Sequence, residues 1–156
     1  MEPEITLVGF FLLSAIIFKL AQKQFQFARS GRIGMASMLI LTGVGHFVFA
    51  KGMKLMLPEI IPYRLELIYI TGVIEIIMAV TLLMPKYRVT TARWLIIFFI
   101  ILLPANIYGA IYQVNLETGS YDGAGINYLW YRIPLQVFFI LWVYFSAIKI
   151  SKPIAK

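Results

Sequence analysis

The chain has 156 residues, of which 61% are hydrophobic and 13% charged, with a net charge of +7 and no cysteine. A soluble domain holds about 45–50% apolar and about 25% charged residues, and at this length it has too little interior to hide the surplus, which must therefore face lipid. Disorder, collagen, disulfide scaffolds and thiolate metal sites are excluded, and basic residues set at the ends of apolar runs argue against a nucleic-acid partner.

A helix that crosses the bilayer core needs about 20 mostly apolar residues. Five stretches qualify: residues 5–21, 33–50, 65–84, 92–112 and 128–148. The expected fold is all-α, a polytopic membrane bundle forming one domain over residues 1–156. The first stretch begins Met-Glu-Pro-Glu and runs into Lys19 and Lys23, the reverse of a signal peptide's basic start, so it reads as an N-out anchor helix on the rim of the bundle.

The second stretch carries the single histidine, His46, about 6 Å below its outer end at 1.5 Å per residue. Residues 51–64 follow, KGMKLMLPEIIPYR, too apolar for a free loop yet interrupted by Pro58 and Pro62. They read as an interfacial segment, either a lid folded over the outer mouth or a connector at headgroup level. The third stretch holds Glu75, about 15 Å deep and therefore near the midplane. An ionisable group there costs about 2.5–3.5 kcal/mol on insertion scales and faces protein or water. Its neighbours at helical spacing, Thr71, Gly72, Met78 and Ala79, form a face that packs closely on other helices.

Asn106 lies about 9 Å deep on the fourth stretch, and residues 113–127 form a solvated outer loop. Arg132 and Gln136, four apart on the fifth stretch, share a face at about 6 and 12 Å. Four spans thus send polar side chains into the outer half, and the inner half receives only a snorkelling Lys19. The convergence predicts an outward-facing ligand or proton pocket built from His46, Glu75, Asn106, Arg132 and Gln136. Four of the five also have a structural alternative. Glu75 can be a neutral acid bonded between helices, His46 a packing histidine and Arg132 a snorkelling side chain. Asn106 can mend backbone groups freed by Pro104.

Charge sorting gives orientation. Lys19, Lys23, Arg29, Arg32, Lys86, Arg88, Arg93, Lys149, Lys152 and Lys156 fall on one side, and only Lys51, Lys54, Arg64 and Arg132 on the other. The side richer in lysine and arginine is cytoplasmic, so the N-terminus is expected outside and the C-terminus inside. Glu2, Glu4, Glu59, Glu117 and Asp122 all fall on the outer side.

The chemistry open to these residues is narrow. One histidine and no cysteine leave no bis-His haem, iron–sulfur or ordinary zinc site, and no GxGxxG or Walker motif is present. No self-sufficient catalytic set is visible, no intrinsic cofactor or metal is expected, and the enzyme question leans to no.

The landmarks Thr42-Gly-Val-Gly-His-Phe47, Leu57-Pro-Glu-Ile-Ile-Pro62, Thr71-Gly-Val-Ile-Glu75, Leu82-Leu-Met-Pro85, Leu103-Pro-Ala-Asn106 and Tyr131-Arg-Ile-Pro-Leu-Gln136 resemble, in that order, the DoxX-like family of small bacterial membrane proteins. The resemblance implies a four-helix core, here extended by the N-terminal helix, in the bacterial inner membrane. It implies an accessory subunit of a redox-linked system, with a quinone-like ligand and other membrane redox subunits as partners. A eukaryotic relative is similar to a receptor-assembly chaperone, so a non-enzymatic assembly or interaction protein is the alternative. A proton-coupled transporter ranks lower, because no inverted repeat is visible.

Overall fold

Apolar runs of this length become helices because, without water, only intrahelical bonds satisfy every backbone N–H and C=O. A computed structural model describes residues 3–149, which are all-helical and contain no β-strand. Glu2, Lys152 and Lys156, which entered the charge sorting, lie outside the described residues. In chain order the helices are α1 (Pro3–Gln22), α2 (Phe27–Val48), the short α3 (Ala50–Leu55), α4 (Arg64–Leu83), α5 (Arg88–Ile111) and α6 (Leu129–Val143). A 3₁₀ turn, Gly125–Tyr128, leads into α6, and a π-helical turn, Tyr144–Ile148, continues it. Among the described residues, five helices, the last counted with its flanking turns, are long and apolar enough to cross a membrane. This is the architecture of a multi-pass membrane protein.

The outward faces are apolar: Leu20, Ile70, Ile77, Ile100, Ile101 and Val137 are all exposed, as lipid-facing positions must be. Inside, Met35, Leu39, Leu82, Leu95, Phe139 and Val143 form a dry core. These residues cluster toward the end where α2 begins and α6 finishes. Polar side chains gather toward the other end, which carries α3 and the loop before α6.

α1 lies on the rim, as expected, and buries only Leu7, Ser14 and Ala15. Gly34 of α2 holds it close, since a Cβ there would stand 2.5 Å from the Leu7 carbonyl oxygen. Phe11 meets Trp142 edge-on, and the Tyr131 hydroxyl donates to Glu4.

Three expectations need correction or refinement. α2 begins at Phe27, six residues before the expected 33, because a hydropathy reading finds the stretch that meets lipid and not the basic turn preceding it. That earlier start brings Ser30 and Arg32 into the bundle. The half expected to hold only Lys19 therefore also contains buried Ser30 and Ser146, and Arg32 donates to the Ser146 carbonyl at 2.9 Å. Finally, residues 51–64, expected as an interfacial segment without a continuous helix, open on a short one. α3 occupies the first of them, and Pro58 and Pro62 fall in the turns after it. Arg64 steadies those turns by donating to the Leu57 carbonyl at 3.1 Å.

α3 and the residue after it pack against the end of α5 and the loop that follows. Met56 sits against Gly109 of α5, where an added Cβ would stand 2.9 Å from Met56 Cγ. Gly52 lies so near the Leu116 backbone that a Cβ there would stand 2.2 Å from its carbonyl oxygen. The 113–127 loop is thus pinned to α3, with an antiparallel bridge between Asn115 and Ser120 closing its tip.

Candidate functional site

The site begins at the crossing of α2 and α4. Gly43 and Gly72 face each other there, and a Cβ on Gly72 would stand 2.7 Å from His46 Cβ and 2.9 Å from the Gly43 carbonyl oxygen. Small residues at such a crossing let two backbones approach closely. The close approach brings together Thr42, beside Gly43, and His46 and Glu75, each about one turn beyond its glycine.

Glu75 is turned away from lipid, at 3% exposure. Thr42 Oγ1 donates to Glu75 Oε2 at 2.6 Å, and His46 Nδ1 lies 3.8 Å from the same oxygen. His46 Nδ1 is also 2.9 Å from the Thr42 carbonyl oxygen, which can only accept, so Nδ1 carries the hydrogen and Nε2 presents its lone pair when the ring is neutral. Among the described residues, neither Glu75 Oε1 nor His46 Nε2 has a hydrogen-bond partner.

The second group belongs to α5 and α6. Arg132 Nε donates to Asn106 Oδ1 at 3.3 Å, and Asn106 Nδ2 donates to the Leu102 carbonyl at 3.0 Å. Pro104 has no N–H for the Ile100 carbonyl, four residues earlier. Asn106 serves Leu102 and not Ile100, so it does not mend the proline's gap. Gln136 Nε2 reaches across to the Phe99 carbonyl at 2.5 Å, tying α6 to the middle of α5.

The five expected residues therefore fall into two layers at one end of the bundle, His46 with Glu75 and Arg132 with Asn106, while Gln136 bonds separately to α5. Arg132 is near enough to act electrostatically on Glu75, but no ion pair joins them among the described residues. No direct hydrogen bond joins Glu75 to Asn106 or Gln136. His46, Glu75, Asn106 and Gln136 are all buried, and Arg132 is half-buried. Two clefts on the molecule, one beside the 113–127 loop and one beside the α1–α2 connection, are lined by other residues.

Thr42 is the functional candidate that the site-residue reading passed over. Its hydroxyl also lies 3.1 Å from the Met38 carbonyl oxygen. A hydroxyl both donates and accepts, so Thr42 can donate to an ionised Glu75, or accept from a neutral Glu75 while donating to Met38. The Thr42–Glu75 contact therefore persists in either protonation state of the carboxyl. Among the described residues, no group of three or more histidine or acidic side chains converges as a metal-ligand set.

Residues 35–147, more than two thirds of the chain, match the family described as Domain of unknown function (DUF8561). The chain belongs to the DUF8561 family. No curated protein and no solved structure matches it. The DUF8561 region runs from inside α2 to the π-turn after α6, so it includes Thr42 and all five expected residues and leaves α1 outside.

Proposed function

We propose that this DUF8561 protein is a DoxX-like accessory subunit of a redox-linked membrane system in the bacterial inner membrane. In this reading the Thr42–His46–Glu75 cluster receives a small polar or quinone-like ligand. The observation that carries the proposal is the pairing of a buried carboxyl with an imidazole, each keeping one heteroatom without a protein partner. A quinone carbonyl needs a donor, and neutral Glu75 supplies one. Its reduced hydroxyl needs an acceptor, and Glu75 Oε1 or His46 Nε2 supplies that. Half-buried Arg132, bonded to Asn106, stands toward the mouth, and Gln136 fixes the α5–α6 wall. The order of the six sequence landmarks supports the DoxX-like assignment. The ten-to-four division of basic residues supports an N-out, C-in orientation.

A structural lock is the second reading, favoured by the Thr42–Glu75 bond that joins α2 to α4. Glu75→Gln separates the two, because glutamine still accepts from Thr42 but cannot exchange a proton. Thermal unfolding of the protein in nanodiscs is measured with and without decylubiquinone and menadione. The ligand reading predicts that a quinone raises Tm of the wild type and not of Glu75→Gln, since a ligand that binds only the folded state stabilises it by mass action. If neither quinone moves Tm of the wild type, the cluster is a lock.

A further inference from the structure

The end of the bundle opposite the candidate site has its own unassigned feature. Where the α1–α2 connection meets the start of α5, a cleft of about 420 Å³ is lined by Phe25, Phe27, Arg29, Arg32 and Arg88. Arg29 and Arg88 are near enough for both charges to act on Arg32. Each guanidinium is held by its surroundings. Arg29 lies over the Phe18 ring at 4.9 Å, Arg32 is fixed to the Ser146 carbonyl, and Arg88 is half-buried.

Like charges that act on one another repel, and the half-burial of Arg32 and Arg88 removes part of the water that would screen them, while Arg29 stays exposed at the edge of the cleft. A carboxylate is the usual remedy, yet among the described residues none pairs with any of the three. Moreover, Arg88 Nε is sealed from solvent with no hydrogen-bond acceptor among those residues. The three arginines all line this one cleft, and the guanidinium fork is the group whose geometry matches phosphate oxygens. The exposed rings of Phe25 and Phe27, stacked with centroids 5.3 Å apart, give that cleft an apolar rim.

We propose that Arg29, Arg32 and Arg88 form a phosphate-binding site, taking the phosphate of an anionic lipid headgroup or a free phosphate group. The site is independent of the Glu75 cluster and of any quinone chemistry there. Binding would tie the α1–α2 connection to α5 and so hold the rim helix against the bundle.

The test uses the full chain in phosphatidylcholine nanodiscs, with Tm read from tryptophan fluorescence. Dihexanoyl phosphatidylglycerol, dihexanoyl phosphatidylcholine and inorganic phosphate are titrated separately. Phosphatidylglycerol is expected to raise Tm saturably, and Arg88→Gln and Arg29→Gln to raise its half-saturation about tenfold, the loss of one charge-assisted contact. Arg32→Gln is expected to do the same, but it also breaks the bond to Ser146, so the other two carry the test if it fails to fold. Arg93→Gln removes an exposed guanidinium from the same end and is expected to change half-saturation by less than about twofold. A rise with inorganic phosphate that depends on Arg88 identifies a free phosphate as occupant, whereas a rise with phosphatidylglycerol alone identifies a headgroup. The proposal is overturned if no phosphate probe raises Tm, if phosphatidylcholine acts as strongly as phosphatidylglycerol, or if Arg93→Gln weakens binding as much as Arg88→Gln.

Discussion

At the scale of single residues, the site rests on a carboxyl that a neighbouring helix must satisfy. Thr42→Val removes the hydroxyl that donates to Glu75 and keeps the shape of the side chain. A buried polar group left without its partner costs about 1–3 kcal/mol. For a chain of this length that corresponds to a Tm lower by about 2–4 °C per kcal/mol, whereas Thr42→Ser, which keeps the hydroxyl, is expected to stay near wild type. Thermal unfolding in one detergent checks both, and equal losses in the two variants would show that the methyl group and not the hydrogen bond matters. Glu75 itself was legible in the sequence, because an acid deep in an apolar run has nowhere to point but inward. Thr42 was not. A threonine in a helix ordinarily bonds to its own preceding turn, as this one also does with Met38 and Leu39, so nothing in the local sequence reveals a partner 33 residues away.

At the scale of elements, helix approach decides what can meet. A methyl group on Gly72 would collide with His46 Cβ and the Gly43 backbone, neither of which is the free end of a flexible side chain. Gly72→Ala is therefore expected to destabilise by about 1–3 kcal/mol, the cost of overpacking. Gly9→Ala in α1 has nothing within 4 Å of its new methyl and is expected to be neutral or stabilising by up to about 1 kcal/mol through helix propensity. Unfolding of the two variants in mixed micelles checks the contrast; a Gly72→Ala protein as stable as Gly9→Ala would mean that α2 and α4 do not cross where described. The long helices were legible from apolar length alone. α3 was hidden because its six residues are too few for periodicity to show, and the π-turn at Tyr144–Ile148 because its distinction lies in hydrogen bonding and not in composition.

The loop pinned to α3 adds a pH dependence at the same scale. The Ser120 hydroxyl, with help from Asn115 and Thr118, holds the Asp122 carboxyl below its ordinary value of 3.8. A folded value lower than the unfolded one means that this contribution is present above pH about 4 and lost as pH falls through the folded value. Hydrogen exchange of the Asn115–Ser120 amides is expected to quicken in that acid range in the wild type and to lose its pH step in Asp122→Asn.

At the scale of the whole molecule, apolar length sets how many helices cross, and charge sets which way they face. Basic residues crowd the end where α2 begins, and the α3 end carries the acids of the turns and loop. If the inner leaflet receives the basic end, Lys86 between α4 and α5 lies inside and Glu59 between α3 and α4 lies outside. Both are exposed, and the chain has no cysteine, so Glu59→Cys and Lys86→Cys each introduce a single thiol without altering the background. In intact spheroplasts a membrane-impermeant maleimide is expected to label Glu59→Cys at once and Lys86→Cys only after lysis. The reverse order would turn the molecule over. The Glu75 cluster would then open toward the cytoplasm and the arginine cleft toward the outer leaflet, so this one measurement fixes which compartment supplies a proton to Glu75 and which leaflet supplies a phosphate to Arg88.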